Sequence, residues 1–239
     1  KGTINFIFNK LKSTANYKVG KNFFDFNYFD KQNDSKFIYN GRLNFKPFYS
    51  ILSGNTEELN LSYLFDSPAI ISELLKTEIF NNKNLNFKLN IRANKIFNFN
   101  SFINIFLNSK IEEGLIDVDD TIFEWKNFVK FNLSDSLIYI KNGELILDGK
   151  SQIDVINHEE IYKFLLTPKN YRKKINKIDL NYTYNFDQKV INLTNIKIDD
   201  KFEQDVNKVI KNISIKNDDL QNKIYFKKLL NDAIKVYVG

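Results

Sequence analysis

The sequence predicts a mainly β protein with flanking helices, in which a long, curved, antiparallel sheet forms a gutter or a half-open barrel. Apolar and polar residues alternate in segments such as 85–92 and 178–185, as they do in a strand with one apolar and one solvated face. Such segments follow one another with short polar breaks, which favours antiparallel pairing of neighbours. Two to four segments carry a helical apolar stripe instead, and we expect those helices to pack on the sheet or to cap it.

The composition is that of a folded protein with a sizeable core. Hydrophobic residues make up 43% of the 239 residues, and Phe (23) and Tyr (12) supply much of this content, as is typical of pleated surfaces. There is no cysteine, which excludes disulfides and thiolate metal sites. There is also no methionine, and Lys1 falls inside a strand-like pattern. We therefore expect the chain to be a segment of a longer protein.

The net charge of +6 is compatible with nucleic acid or anionic lipid as a partner. The lysines are scattered over predicted strand faces rather than clustered, and the abundant Lys, Asn, Ile, Phe and Tyr residues share AT-rich codons. Genome composition alone could therefore produce the basic balance, and we expect no nucleic-acid partner. No run of about 18 uncharged apolar residues occurs, so we expect no membrane-spanning helix in this segment.

Strands are predicted along most of the chain, and turn residues mark several boundaries. Gly41 lies inside one strand and indicates a bulge or a bend, whereas Pro47 ends that strand or places it at an edge. Asn142 and Gly143 between two apolar segments predict a tight hairpin, because both turn positions need positive φ. The predicted strands are 2–9, 24–28, 37–45, 59–65, 85–96, 102–111, 115–125, 128–133, 137–140, 144–155, 177–186 and 189–198.

Three regions are predicted to be helical. The first lies near residues 67–80, where Pro68 suits the first turn and residues 70–75 carry an apolar stripe. The second lies near residues 157–175, where Asn157 can cap the helix and Glu160 completes a capping box. The third is the C-terminal segment 201–239. We therefore expect a β-rich domain of residues 1–200 followed by a helical segment of residues 201–239.

The sequence contains no catalytic signature. The densest acidic cluster spans residues 112–124, and a hydrolase would need two of its carboxyl groups to converge in a concave pocket. Solvated strand and turn residues explain the cluster more simply. His158 is the sole histidine, which excludes a zinc site built from His and Cys, and neither a nucleophile elbow nor a phosphate-binding glycine loop is present. We therefore expect no enzyme activity, no cofactor and no metal.

A local basic patch follows the second predicted helix. Its members are Lys169, Arg172, Lys173 and Lys174. They can contact the anionic headgroups of a membrane, or they can form a solvated helix end, where the helix dipole favours cations. The sequence leaves both interpretations open.

The central question is what covers the apolar face of the sheet. About ten strands, spaced ~4.8 Å apart and ~17–20 Å long, present a face of roughly 900 Å². Soluble proteins rarely expose more than a few hundred Å² of contiguous apolar surface. Each helix shields ~200 Å², so three or four helices would cover most of the face. A sandwich, a closed barrel and a gutter that holds acyl chains are the alternatives.

Three segments resemble the C-terminal region of AsmA-like proteins. They are residues 41–48 (GRLNFKPF), 143–149 (GELILDG) and 193–199 (LTNIKID), and the resemblance covers residues 2 to about 200. The family implies a bacterial envelope protein that an N-terminal helix outside this segment anchors in the inner membrane. It also implies a periplasmic β-gutter for phospholipid transport toward, or homeostasis of, the outer membrane. We accordingly expect an AsmA-like β-groove domain on the periplasmic side of the inner membrane.

The resemblance and the strand pattern together predict a non-catalytic groove that binds or conducts phospholipid acyl chains. The implied partners are phospholipid, a membrane reached through the anchor, and other envelope proteins. The alternative is a structural or adhesive β-module whose apolar face is covered by its own helices. The residues expected to line the groove are Leu85, Phe87, Leu89, Ile91, Leu145, Leu147, Ile178, Leu180 and Tyr182.

Overall fold

The computed structural model describes residues 1–8, 11–32, 35–46, 48–61, 73, 75–77, 82, 85–112, 114–211, 215–216 and 222–239. The predicted fold class is confirmed, since the chain is mainly β, with an open, curved sheet and flanking helices. The chain is divided into two compact units, Lys1–Phe123 (unit 1) and Glu124–Gly239 (unit 2). The predicted boundary at residue 200 lies inside unit 2. Residues on its two sides share a core, since Ile198 on a strand packs with Val206 on a helix.

Unit 1 is a sheet whose strands pair mostly in chain order. The order is β1-β2-β3-β4-β5-β6-β7-β8, with β9 beside β7. In the described part of the chain β1 pairs with β2 alone, so β1 is an open edge. The strands are β1 (Gly2–Phe8), β2 (Leu11–Val19), β3 (Phe23–Gln32), β4 (Ser35–Phe45), β5 (Phe48–Leu59), β6 (Asn86–Ile96), β7 (Phe99–Glu112), β8 (Leu115–Asp117) and, at the unit boundary, β9 (Ile122–Trp125).

One pair in unit 1 differs from the predicted antiparallel arrangement. Strands β5 and β6 are parallel, and two parallel neighbours need a long crossover connection instead of a hairpin. The chain between them supplies that crossover. The predicted strand 59–65 and the predicted helix 67–80 fall here and lie largely outside the described residues. Within this stretch Glu73, Leu75 and Lys76 are helical, and Leu75 is buried.

In the described part of unit 2, an antiparallel sheet is combined with three α-helices. The strand order is β10-β11-β12-β13-β14, and β15 also pairs with β13. The strands are β10 (Val129–Lys141), β11 (Glu144–Val155), β12 (Lys177–Asn185), β13 (Val190–Ile198), β14 (Lys201–Phe202) and β15 (Ile215–Lys216). The helices are α1 (His158–Leu165), a 3-10 helix (Lys169–Tyr171), α2 (Gln204–Lys211) and α3 (Lys223–Val238).

The hairpin turn and the helix cap that the sequence predicts in unit 2 are present in the structure. Asn142 and Gly143 have φ of 53° and 79° and join β10 to β11, so the predicted hairpin is confirmed. The side chain of Asn157 accepts a hydrogen bond of 3.2 Å from the backbone N–H of Glu160, which caps α1. The predicted break at residues 134–136 is a bulge inside the single strand β10, where the register shifts between Ser134 and Leu137.

The core of unit 2 lies between its sheet and its helices. Ile196 and Ile198 of β13 pack with Val206 of α2, and Ile210 of α2 and Tyr237 of α3 pack against the same cluster. Ring contacts join the helices at the other side, where Trp125 lies 5.2 Å from the Phe164 ring of α1 and 5.8 Å from the Phe226 ring of α3. The helices therefore cover part of the sheet.

Candidate apolar binding surface

Strand register aligns apolar side chains into one face across unit 1. Tyr17, Phe26, Gly41, Leu52 and Leu89 lie opposite one another on successive strands from β2 to β6. Side chains of opposed residues project from the same face of a sheet. The neighbouring rows are equally apolar, and together they form the surface that we call the apolar face. Its described members are Ile4, Ala15, Tyr17, Val19, Phe24, Phe26, Tyr28, Tyr39, Leu43, Leu52, Phe87, Leu89, Ile91, Ala93, Ile105 and Leu107.

Two glycines allow aromatic rings to lie flat on this face. A Cβ at Gly41 would lie 2.2 Å from the ring of Phe26, and one at Gly54 would lie 2.3 Å from the ring of Tyr39. Each ring therefore occupies the space that a side chain on the neighbouring strand would fill. Glycine inside a strand commonly marks such a close approach. The face is consequently a layer of rings packed against backbone.

Burial changes steadily across the apolar face. At the β2 end Val19 is 57% exposed, whereas Ile91 on β6 is 6% exposed. Between them, the residues of this face on β3 and β4 and Leu52 on β5 are half-buried, whereas Ser50, Gly54 and Thr56 on β5 are buried. Four strands spaced ~4.8 Å apart and about 17–20 Å long span an area of about 350 Å². The face is therefore partly accessible over β1–β4, across an area in the range of the apolar patches of soluble proteins.

The predicted groove residues of unit 1 lie on this face, but at its covered end. Leu85, Phe87 and Leu89 are half-buried and Ile91 is buried. Ile91 forms a cluster with Leu59, Ala93 and Ile105, against which Leu89, Leu107 and Phe123 pack. The open residues on β2–β4 were not assigned to the groove from the sequence, although the alternation of Phe24, Phe26 and Tyr28 and the glycine at position 41 pointed to them.

The predicted groove residues of unit 2 are buried or half-buried. Ile178 and Leu180 pack against the cluster that includes Val206 of α2, as Tyr237 of α3 also does. Leu145 is fully buried, Leu147 is half-buried, and the buried Tyr182 donates a hydrogen bond of 2.8 Å to the Ser136 hydroxyl. Ile178 and Leu180 are half-buried, and their assignment to a groove lining stays a prediction.

The opposite face of unit 1 mixes charged and amide side chains with apolar ones. It carries a recess of about 590 Å³ whose lining includes Asn16, Lys18, Asn27, Asn40 and Ile51. Arg42 lies in the same recess and donates two hydrogen bonds to the Asp25 carboxylate, of 2.6 Å from Nε and 2.9 Å from Nη2. These hydrogen bonds hold the pKa of Asp25 below its usual value. Lys18, Asp25 and Arg42 therefore place their charges on the face opposite the apolar face.

The acidic cluster shapes a turn. The Asp117 carboxylate accepts a hydrogen bond of 2.8 Å from the backbone N–H of Asp119, and the Asp119 carbonyl accepts one of 2.8 Å from the Asn108 side chain. Asp120 has φ of 59°, which aspartate tolerates in turns. These contacts fix the connection between β8 and β9.

The predicted basic patch is divided between packing and solvent. The Arg172 Nε donates a hydrogen bond of 2.9 Å to the Thr167 carbonyl. The Lys173 ammonium lies 4.3 Å from the centre of the Tyr237 ring, and its carbonyl accepts a hydrogen bond from the Tyr162 hydroxyl. Lys169 and Lys174 are exposed. Two members therefore fasten the end of α1, and two are free to meet solvent or a ligand.

Among the described residues, no group of three or more His, Cys, Asp and Glu side chains is placed to hold a metal ion. No helix in that part of the chain combines the length and the hydropathy needed to cross a bilayer. No family model, curated protein or solved structure matches the chain.

Proposed function

We propose that this chain is a non-catalytic lipid-binding segment of an AsmA-like protein, on the periplasmic side of the bacterial inner membrane. Its apolar face in unit 1 would hold phospholipid acyl chains during outer-membrane biogenesis or lipid homeostasis. The sequence resemblance to AsmA-like proteins supports this assignment. The membrane anchor outside this segment and envelope protein partners belong to the same proposal.

The observation that carries the proposal is the open part of the apolar face. Over β1–β4 the described aliphatic and aromatic side chains of this face, such as Val19, Phe24 and Phe26, are half-buried or exposed. An acyl chain gains about 0.8 kcal/mol for each methylene that it removes from water. Contact with ~10 methylenes would therefore offset much of the ~4–15 kcal/mol that association costs. The flat rings of Phe26 and Tyr39 provide a surface on which such a chain can lie.

Native mass spectrometry of the purified chain tests the proposal, and we expect co-purifying phospholipid. Val19→Asp should reduce the bound lipid at least tenfold, because it places a charge among the acyl contacts at an exposed position. Asn16→Asp introduces the same charge on the opposite face of the same strand and should leave the lipid bound. A lipid-free wild-type chain, or equal loss in both variants, would contradict lipid binding at this face.

The second candidate is a structural or adhesive β-module that covers its own apolar face. The helices of unit 2 favour it, since Val206 of α2 and Tyr237 of α3 pack in the same cluster of the sheet as Ile178 and Leu180. This candidate predicts a chain that carries no lipid and whose Val19→Asp variant behaves like the wild type. The same mass measurement therefore separates the two functions.

A further inference from the structure

Strand register aligns uncharged polar side chains into one row on the face of unit 1 opposite the apolar face. Each member lies directly opposite the next one on the neighbouring strand, and opposed residues project from the same face of a sheet. We call it the amide row, and its members are Thr3, Asn16, Asn27, Asn40, Ser53, Asn90 and Asn108. Every strand from β1 to β7 therefore contributes one amide or hydroxyl group to the row.

Charges are collected in the next row of the same face, two residues along each strand and about 7 Å away. We call it the charged row, and its described members include Lys18, Asp25, Arg42, Lys88 and Lys110, with Ile51 between Arg42 and Lys88. Alternation in the sequence shows only that both sets face away from the apolar side. The register separates them into one row that forms hydrogen bonds without charge and one row that carries charge.

The groups of the amide row are available to a ligand. Asn27 and Asn40 are exposed and Ser53 is half-buried, and all three line the recess of about 590 Å³ that Lys18 and Arg42 also border. Within the described part of the chain, none of these three polar side chains forms a hydrogen bond. An amide offers donors and an acceptor, and a hydroxyl group offers both as well. The recess therefore presents donors and acceptors side by side, as the hydroxyl groups of a sugar require.

Part of the charged row lacks a counter-charge within the protein. The Asp25 carboxylate is occupied by Arg42, through hydrogen bonds of 2.6 Å and 2.9 Å. Lys18 and Lys88 form no ion pair with any described residue. Lys88 also lies directly opposite Lys110, and like charges at opposed positions are destabilising. Anionic groups of a ligand would offset this repulsion.

We propose that this face of unit 1 binds an extended acidic polysaccharide. Its hydroxyl groups bond to the amide row, and its anionic groups meet the lysines of the charged row. Both rows run across the strands, so a polymer that lies along them meets the two kinds of group at successive strands. A neutral polysaccharide would leave the lysines without a counter-charge, and a polyanion without hydroxyl groups would leave the amide row unused.

A nucleic acid fits this face less well. Single-stranded nucleic acids bind largely through bases that stack on aromatic rings. Cations already cover two rings of this face, since Arg42 lies 5.0 Å from the centre of the Phe23 ring and Arg92 lies 4.8 Å from that of Phe106. These rings are therefore not free to receive a base.

Isothermal titration calorimetry of the full chain tests the proposal with polygalacturonate, neutral amylose, polyphosphate and oligothymidylate. Polygalacturonate carries both hydroxyl and carboxylate groups, so it should bind at least tenfold more tightly than the other three, and added salt should weaken it. Absence of polygalacturonate binding would overturn the proposal. Equal or tighter binding of any other probe would do the same, and a preference for oligothymidylate would identify a nucleic-acid site instead.

Two double variants assign the binding to the two rows. Asn27→Ala with Asn40→Ala should weaken polygalacturonate binding about tenfold, because it removes hydrogen bonds to hydroxyl groups. Both positions are exposed, so this variant should fold. Lys18→Gln with Lys88→Gln should weaken binding to a similar extent and reduce its salt dependence. Unchanged binding in either double variant would contradict the proposed role of that row.

Controls separate this site from the apolar face, which it goes beyond. Asn170→Ala and Lys169→Gln change exposed residues of unit 2 and should leave polygalacturonate binding unchanged. Val19→Asp should lose phospholipid but still bind polygalacturonate. Asn16→Asp should keep phospholipid but bind polygalacturonate more weakly, because it adds a negative charge to the amide row. The two proposals therefore fail separately.

Discussion

Glycine 54 leaves room for an aromatic ring of the neighbouring strand. Gly54→Val would place a side chain where the Tyr39 ring now lies, since a Cβ would come within 2.3 Å of it. The ring must leave its position beside Tyr28, whose ring centre is 6.2 Å away. We expect the free energy of unfolding to fall by about 1–3 kcal/mol, as in other overpacked sites. Urea denaturation measures this, and Ser53→Val on the opposite face should change stability by less than about 0.5 kcal/mol.

Arg42 controls the titration of Asp25 on the face of unit 1 opposite the apolar face. Its hydrogen bonds lower the pKa of Asp25, so the ion pair stabilises the fold above the unfolded value of 3.8. That contribution disappears as the pH falls through the lower folded value, because the protonated carboxyl no longer attracts the guanidinium. We expect Arg42→Gln to raise the pKa of Asp25 toward 3.8, as measured by NMR titration. Lys150→Gln, which breaks the separate 2.7 Å pair with Asp135, should leave it unchanged.

A buried polar link joins helices α1 and α3. Thr167 is 1% exposed, and its hydroxyl and the Leu165 carbonyl both bond to the Asn231 side chain. Asn231→Leu removes both partners and leaves the two groups unsatisfied. We expect a loss of about 2 kcal/mol, since each buried unpaired group costs ~1–3 kcal/mol. Chemical denaturation measures the change.

One control substitution and one double variant test this link further. Asp232→Asn changes the next residue, which is half-exposed, and should have little effect. Thr167→Val in the Asn231→Leu background should recover part of the loss, because it removes one orphaned hydroxyl. Strictly additive effects of the two substitutions would show that the hydrogen bond does not couple the helices.

At the level of strands and helices, alternation predicted most of unit 2 but less of unit 1. Strand β2 was not predicted, because Ser13 and Ala15 occupy positions on the apolar face. Strand β5 was not predicted, because Ser50, Gly54 and Thr56 occupy such positions there. Small or polar residues at those positions hide the period of two. The parallel pairing of β5 and β6 could not be predicted either, because alternation within a strand carries no information about its direction.

The sequence predicted that an apolar binding face exists, but not which strands carry its accessible part. Alternation assigns Ile178 and Phe26 equally to an apolar face. It cannot tell whether a helix, a second strand layer or a ligand covers that face. Only the register shows that Phe26 lies over Gly41, and only the tertiary contacts show that Ile178 lies in the core shared with α2 and α3.

In the molecule as a whole, the two units cover the apolar face of their sheet to different extents. Both present one apolar face of a sheet. In unit 2, helices from the C-terminal part of the chain cover that face, with Val206, Ile210 and Tyr237 as the contacts. In unit 1 the face is buried at β6 and open at β2. The difference predicts that the units respond unequally when the C-terminal helix is removed.

Deletion of residues 218–239 tests this difference, because it removes α3 and with it Phe226, Asn231 and Tyr237. Unit 2 then loses the ring contact to Trp125, the link to α1 and part of its core. We expect a hydrophobic dye to bind strongly and the melting transition of unit 2 to move by well over 10 °C. Amide protection in β3 and β4 should persist, because their hydrogen bonds lie within unit 1. An unchanged melting curve would mean that α3 contributes nothing to the cover, and the open face of unit 1 would no longer distinguish the units.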